Sequence, residues 1–322
     1  MIGCKVMRFL LNATLMSCSV LLFLARTSFS AQREEELTVE RKVTYIPAGS
    51  GQKPFDATRH VIPLHQIQSG GPPKYGIPEL DHPTFVSAPE ADRGLKADDM
   101  VLGVDFAGVA KAYPVRILNW HEVVNDDVGA QPVVISWCPL CRSGVVYDPR
   151  VDGRRYTFGV SGLLYKQNLL LFDRDTESLW SQIRGRAIAG PLAGTYLRLL
   201  PVTMNTWRKW TADHPRTLVL SFQTGYKRDY SRDPYRDWPL DRRMALVISS
   251  NGQSKIYPYS ELKKVGRPVE DELGGLRFTI FFDATQQSAV LSASAGEPPP
   301  HFVAFVCDAR AFFPAAVIFK PH

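Results

Sequence analysis

Residues 101–148 read VLGVDFAGVAKAYPVRILNWHEVVNDDVGAQPVVISWCPLCRSGVVYD, and most of this stretch alternates apolar and polar side chains as short strands do. The alternating segments on either side of Ala107-Gly108 predict a β-hairpin. Further along, 132–137 and 143–148 each read as a strand. The sequence Cys138-Pro139-Leu140-Cys141 lies between these two strands, and we predict that it forms the turn that joins them.

A similar pattern occurs a second time, later in the chain. Gly108–Pro114 (GVAKAYP) matches Gly252–Pro258 (GQSKIYP) at an offset of 144, and Asp126–Ile135 matches Asp271–Ile280 at an offset of 145. Because the offset is nearly constant over these segments, we predict an internal repeat. Asp283 takes the place of the first cysteine in the second repeat, so the cysteines belong to a site and not to the framework of the fold.

These patterns predict an α+β fold that is dominated by β-structure. We expect two weakly similar hairpin–helix–strand units, at about 100–148 and 245–292, with an α+β insertion between them. The strands are too closely spaced for the crossover helices of a parallel α/β sheet. No glycine-rich phosphate-binding pattern is present, so no nucleotide cofactor is expected.

The first thirty residues have the order of a secretory signal peptide. Lys5 and Arg8 precede an apolar run over 9–24, and small residues then fit a cleavage site before Ala31. We therefore expect an exported protein, either periplasmic or secreted. Two alternatives stay open, namely a membrane anchor formed by an uncleaved N-terminal segment and a lipid attached to Cys18.

The remaining chain is predicted to consist of an extended Pro/Gly-rich segment over 31–98 and a single globular domain with the internal duplication over 99–322. The net charge of +6 falls to +3 without residues 1–30, which hold three basic residues and no acids. No run of Lys and Arg is present, so a nucleic-acid partner is not expected. The expected partner is a small molecule or a metal ion, with membrane contact only through the N-terminal segment. The oligomeric state stays open.

Several longer motifs in one order resemble bacterial exported proteins that carry the domain of unknown function 3179 (DUF3179). The family has no settled activity, so the resemblance implies a grouping and no mechanism. One departure is Arg142, where members have a glycine after the second cysteine. The motifs that carry the resemblance are Asn119–Asp126, Trp137–Cys141, Phe158–Tyr165, Asp173–Gln182 and Thr224–Tyr230.

The cysteine pair supports three interpretations. Cys138 and Cys141 have the spacing to bind one metal ion, to act as a redox-active dithiol or to close a structural disulfide. A thioredoxin-like site is disfavoured, because the residues that follow read as a strand and not as a helix. Arg142 is expected to take a strained positive φ in a knuckle-like turn, and its charge is expected to lower the pKa of a nearby thiol.

A histidine precedes the cysteine turn at a short distance along the chain. Pro114 opens a helix that we expect to run through Asn125, and this helix carries His121-Glu122. His121 is a candidate third ligand for zinc or copper beside Cys138 and Cys141, with Glu122 close by. The alternative is that His121 only hydrogen-bonds a loop.

A further set of residues is predicted to bind a ligand, with the alternative that it only holds a turn through Arg–Asp pairs. The set consists of Ser161, Gly162, Trp180, Gln182, Tyr226, Arg228 and Asp229. The functional prediction is an exported protein whose residues Cys138, Cys141, His121 and Glu122 handle a small soft ligand. The alternative is a non-enzymatic binding module or envelope scaffold with a structural Cys138–Cys141 disulfide. Whether the protein is an enzyme stays open.

Overall fold

The computed structural model describes residues 36–238, 243–294, 296 and 298–321. Of the described residues, 44% lie in strands and 12% in helices, which confirms the β-dominated α+β class. The predicted signal peptide, including Cys18, lies outside the described residues. Within the described part of the chain, no helix is both long enough and apolar enough to cross a membrane.

The N-terminal segment consists mainly of short strands that join sheets formed by later parts of the chain. Strands β1, β4 and β5 belong to a seven-stranded sheet, and β6 belongs to a five-stranded sheet. The elements are β1 (Thr38–Val39), β2 (Tyr45–Ile46), β3 (Phe55–Asp56), β4 (Arg59–His60), a 3-10 helix (Leu64–Gln66), β5 (Ile67–Ser69), β6 (Phe85–Ser87) and α1 (Ala88–Ala91).

The first repeat begins with a hairpin, a helix and a three-stranded meander. Its helix ends at His121 and not at the predicted Asn125. Glu122 stops the helix by taking a φ of 56°, and the β-branched residues after it favour a strand. The elements are β7 (Met100–Phe106), β8 (Val109–Pro114), α2 (Val115–His121), β9 (Val123–Val128), β10 (Gln131–Cys138) and β11 (Ser143–Asp148).

The insertion that follows supplies the centre of the seven-stranded sheet, which has the order β1-β4-β17-β16-β15-β14-β5. Its last strand, β18, pairs with β11 instead. The elements of the insertion are β12 (Arg150–Val151), β13 (Arg154–Arg155), β14 (Phe158–Tyr165), β15 (Asn168–Asp173), β16 (Leu179–Ser181), β17 (Arg186–Ala189) and β18 (Arg198–Leu200).

After the insertion, the chain returns to the first repeat with β19 (Thr203–Thr206), α3 (Trp207–Asp213) and β20 (Leu218–Leu220). Strand β19 pairs with β7, and β20 runs parallel to β8. The hydroxyl of Thr206 caps α3 by accepting a hydrogen bond from the main-chain N–H of Lys209. The insertion therefore lies inside the first repeat, whereas the sequence placed it between the two repeats.

The second repeat has the same order of elements without the insertion. Strand β26 pairs with β21, and β27 runs parallel to β22, as β19 and β20 do in the first repeat. The elements are β21 (Met244–Ser250), β22 (Gln253–Pro258), α4 (Tyr259–Val265), β23 (Val269–Leu273), β24 (Leu276–Asp283), β25 (Ser288–Ala293), β26 (His301–Phe305), α5 (Val306–Phe312) and β27 (Val317–Ile318).

The register of the two repeats corresponds residue by residue. Thr206, the residue before α3, lies opposite Met100, and Phe305, the residue before α5, lies opposite Met244. The two repeats also share a sheet, because β11 of the first repeat pairs with β26 of the second. All of β11, and all of β10 except its first residue, is buried, so the turn between them lies inside the protein.

Candidate functional site

The turn between β10 and β11 places two cysteines in the interior. Cys138 lies opposite Ser143 in the ladder, so the chain reverses over the four residues between them. Cys138 and Cys141 are both 0% exposed and neither forms a disulfide. The thiol of Cys141 donates to the main-chain oxygen of Gln167 at 3.4 Å. The predicted strand–turn–strand arrangement is therefore present, with the second sulfur against the β14–β15 hairpin.

Arg142 takes the predicted positive φ, at 44°. A left-handed backbone costs a non-glycine residue roughly 1 kcal/mol. The second repeat has the same feature, because Gln287 at the corresponding position of the β24–β25 turn has a φ of 50°. The positive φ thus belongs to the turn of the repeat and does not depend on the cysteines.

The two thiols interact with each other. A hydrogen bond to Cys138, together with burial, raises the pKa of the Cys141 thiol far above its ordinary value, and the nearby charge of Asp308 adds to this effect. The expected lowering of a thiol pKa by Arg142 does not occur at Cys141. Cys141 is consequently a thiol that stays protonated at neutral pH.

Glu122 is a buried carboxyl that titrates near neutral pH. Its side chain lies beyond the end of α2 and accepts a hydrogen bond of 2.8 Å from the hydroxyl of Tyr235. Burial raises the pKa of Glu122 to about 7, and the bond from Tyr235 offsets part of that rise. Burial, followed by Glu122 and Cys138, raises the pKa of Tyr235. Tyr235 therefore hydrogen-bonds the carboxyl of Glu122 and is also influenced electrostatically by Cys138.

A segment without helix or strand holds this tyrosine in place. We name residues 224–235 the strap; it runs over the end of α2. Each of the four residues at 119–122 hydrogen-bonds the strap, which fixes the strap along the helix end. The pairs are Asn119 with Asp233 (3.2 Å), Trp120 with the oxygen of Arg232 (3.2 Å), His121 with Tyr230 (2.7 Å) and Glu122 with Tyr235 (2.8 Å).

His121 anchors the strap, and both of its ring nitrogens are engaged in hydrogen bonds. Its Nδ1–H donates to the oxygen of Pro78 at 2.7 Å, and its Nε2 accepts from the Tyr230 hydroxyl at 2.7 Å. Burial lowers the pKa of His121, so the ring is neutral. A metal ligand needs a nitrogen with a free lone pair. Across the described ranges, no group of three or more His, Cys, Asp and Glu side chains has the arrangement to hold a metal ion.

Gln182 fixes the two strands that flank the cysteine turn. Its Nε2 donates to the main-chain oxygens of Ser143 (3.0 Å) and Ser136 (3.3 Å). Its Oε1 accepts from the Ser143 hydroxyl and from Asn168, each at 2.8 Å. The indole of Trp137 adds a further bond of 2.8 Å to the amide oxygen of Asn119. Gln182 thus hydrogen-bonds both strands and stabilises the cysteine turn that joins them.

The other predicted ligand-binding residues fall into two separate groups. Ser161 donates to the oxygen of Leu170 at 2.5 Å, and Gly162 has a φ of 76° where a Cβ would meet the oxygen of Pro72 at 2.1 Å. These contacts, like the buried indole of Trp180, belong to the packing of the insertion sheet.

The remaining three predicted residues lie on the strap. Tyr226 and His121 have ring centroids 5.3 Å apart, and the Arg228 guanidinium lies 5.8 Å from the ring of Trp120. Asp229 accepts from the main chain and the hydroxyl of Ser231, and these bonds lower the pKa of Asp229. The structure therefore brings these residues to the end of α2.

Tyr235 is the residue of the site that sequence reasoning missed. It lies 113 residues after its partner Glu122, and no local pattern connects positions so far apart. The strap motif itself was visible, although its role in covering α2 was not. Asn168, which lies 14 residues before Gln182 and bonds it at 2.8 Å, was missed as well.

The comparisons with known proteins give one match. The family described as "Protein of unknown function (DUF3179)" matches residues 74–311. No curated protein and no solved structure matches the chain. The matched region includes both cysteines of the turn, Glu122 and the whole strap.

Proposed function

This chain belongs to the DUF3179 family, whose description assigns no activity, and from the geometry of its site we propose that the protein carries out thiol–disulfide exchange. Cys138 and Cys141 are the exchanging dithiol, and a small disulfide outside the cytoplasm is the substrate. The observation that carries the proposal is a buried dithiol whose Cys138 acts electrostatically on Tyr235, together with the hydrogen bond from Tyr235 to a carboxyl with a pKa of about 7.

In the first step, Cys138 loses its proton and attacks one sulfur of the substrate disulfide. The Tyr235 hydroxyl accepts the thiol proton and passes its own proton to the carboxylate of Glu122, to which it is hydrogen-bonded at 2.8 Å. The S–S bond of the substrate breaks, and the leaving thiolate takes up a proton. The product is a mixed disulfide on Cys138 and one free thiol.

In the second step, Cys141 attacks the Cys138 sulfur of the mixed disulfide. Its proton leaves with the second substrate thiol, and a Cys138–Cys141 disulfide forms. Two electrons pass from the dithiol to the substrate, which becomes two thiols, and the reverse sequence oxidises a dithiol substrate. The raised pKa of Cys141 keeps this thiol protonated until the first bond has formed.

Substrate access requires a movement of the strap. Both sulfurs are 0% exposed, and Tyr235 lies on the strap near Cys138. Long segments without regular structure often act as lids over functional sites. A small disulfide is favoured over a protein substrate, because only a local displacement of the strap is then needed.

The test uses the purified chain without its signal segment. Reduced protein is mixed with oxidised glutathione, and the thiols are counted by alkylation and mass spectrometry. We expect a reversible Cys138–Cys141 disulfide in the wild type and in C307S, and a mixed disulfide trapped at Cys138 in C141S. E122Q should react about 100-fold more slowly at pH 7, since a general base contributes about this much.

Two outcomes would contradict the exchange reaction, and a third would contradict the role of Glu122 in it. A Cys138–Cys141 disulfide that dithiothreitol cannot reduce in the folded protein would support the scaffold alternative. One equivalent of zinc or copper, present in the wild type and lost in C138S, would support the metal alternative. Equal reaction rates of the wild type and E122Q across pH 5–9 would remove Glu122 from the proton path.

A further inference from the structure

The strap occupies a groove in the first repeat. The groove lies between α2 and the residues that follow β20, and its donors hold the strap by its main chain. Arg116 Nε donates to the oxygen of Tyr230 at 2.9 Å, and the indole of Trp120 donates to the oxygen of Arg232 at 3.2 Å. The rings of Phe222 and Tyr230 pack with centroids 5.8 Å apart. The first repeat thus binds an extended segment of its own chain.

The second repeat has the corresponding groove between α4 and the residues that follow β27. There it forms a cavity of about 600 Å³, a volume typical of ligand sites. Three of its lining residues correspond in register to the residues that hold the strap: Ser260 to Arg116, Lys264 to Trp120 and Pro321 to Phe222. The position that receives the strap in the first repeat is therefore an open groove in the second.

The charge of this groove identifies the kind of occupant it fits. Four cationic side chains line it, whereas Glu261 is the one acid in the lining and is hydrogen-bonded to Lys264 at 2.8 and 2.9 Å. Apolar side chains of α5 and the β27 segment complete the lining. Arg310 and Lys320 have no ion-pair partner among the residues that the structure describes. The four cations are Arg243, Lys264, Arg310 and Lys320.

We propose that this groove binds an extended acidic peptide segment of a partner protein. The segment runs along α4 as the strap runs along α2, with its main-chain oxygens toward Ser260 and Lys264. Its carboxylates pair with Arg310 and Lys320, which are the cations without a partner. The apolar lining accepts an aromatic side chain, as the first repeat accepts Tyr230. This interaction is independent of the cysteine chemistry.

The experiment measures the fluorescence anisotropy of a labelled peptide mixed with the full chain lacking its signal segment. The probe GYEEDYSEDPY has the strap sequence of residues 225–235 with Glu in place of Lys227, Arg228 and Arg232. A scrambled peptide of the same composition is the control for sequence. The variant R310E/K320E reverses two charges in the groove, and R93E/K96E makes the same charge change on the surface near α1.

We expect the acidic probe to bind the wild type, with affinity at least about ten-fold lower in R310E/K320E and changed less than about two-fold in R93E/K96E. No binding of the probe, equal binding of the scrambled peptide, or equal losses in the two double variants would overturn the proposal. Displacement of the probe by inorganic phosphate would show a small-anion site instead. Binding to phosphatidylglycerol vesicles that is lost in R310E/K320E would show a membrane contact, and would also overturn it.

Discussion

In the first repeat, the turn after β10 carries Cys138 and Cys141, and in the second repeat, the turn after β24 carries Asp283 and Gln286. The two turns have the same length and register, because Cys138 lies opposite Ser143 and Asp283 lies opposite Ser288. The residue before each serine has a positive φ. The backbone of the turn therefore forms without cysteines, and the cysteines are an addition specific to the first repeat.

Other polar residues are the same in both repeats and form the same network. Asp126 accepts from Lys111 (2.8 Å) and Tyr113 (2.7 Å) in the first repeat. In the second repeat, Asp271 accepts from the corresponding Lys255 (2.6 Å) and Tyr257 (3.0 Å). Each network fastens the hairpin to the first strand of the meander. Polar residues that the repeats share thus serve the fold, which separates them from residues found in one repeat only.

The residues specific to the first repeat gather around the cysteine turn. His121 and Glu122 end α2, whereas Val265 and Gly266 stand at the corresponding positions of α4. Gly266 has a φ of 64° and Glu122 a φ of 56°, so glycine suits the backbone of both positions better. A carboxyl at this position costs stability through both its backbone and its burial. A chemical role of Glu122 would explain why a carboxyl stands at this position in spite of that cost.

The largest predicted effect is the pH dependence of stability that Glu122 introduces. Its pKa is about 7 in the folded chain and 4.5 ordinarily. Below pH 4.5 both states hold the proton. As the pH rises from 4.5 to 7, the unfolded chain releases the proton first, so the free energy of unfolding falls. The loss is about 3 kcal/mol, and urea unfolding of the wild type and E122Q at pH 4.5 and 8 measures the difference.

The second repeat supplies the control for this measurement. Gly266 stands at the position of Glu122, and G266A introduces no titratable group, so it should have the pH dependence of the wild type. If E122Q and the wild type lose stability in parallel as the pH rises, Glu122 is ionised in the folded chain. The carboxyl would then already carry its charge at neutral pH and would not be the proton acceptor proposed above.

The sequence predicted the parts of this comparison that depend on short-range patterns. The alternation of apolar and polar residues predicted the hairpins and the strands around Cys138. The nearly constant offset between Lys111 and Lys255 and between Tyr113 and Tyr257 indicated the repeat. The strap contacts could not be predicted, since they join positions more than 100 residues apart. The end of α2 was misplaced because nothing in the local pattern shows that Glu122 takes a positive φ.

The last strand–helix–strand part of each repeat, β19 to β20 in the first and β26 to β27 in the second, was also missed, for a physical reason. Thr203–Thr206 and His301–Phe305 have little sequence in common, because only their main chains are used in pairing with β7 and β21. The insertion further separates β19 from β11 in the first repeat. The similarity is visible in the backbone, since the residues after α3 and α5 have nearly the same φ, at −130° and −127°.

A smaller effect is expected from exchanging the helix ends. H121V places the residue of the second repeat into the first, and leaves the oxygen of Pro78 and the hydroxyl of Tyr230 without their partner. We expect a loss of about 2 kcal/mol in the free energy of unfolding, with unchanged numbers of reactive thiols. V265A, at the same position of α4, should cost about 1 kcal/mol or less. Unchanged stability together with a loss of bound metal in H121V would restore His121 as a ligand.

The smallest effect concerns the positive φ that the two turns share. R142G and Q287G should each stabilise the chain by about 0.5 to 1 kcal/mol, because glycine adopts this backbone without strain. Thermal unfolding of both variants measures the gain. Equal gains would show that the strain belongs to the repeat, as the shared register indicates. The other informative result is a gain in Q287G alone, together with slower exchange in R142G at pH 7. It would mean that the Arg142 side chain acts on the Cys138 thiolate. The arginine at this strained position of the first repeat would then serve the cysteines.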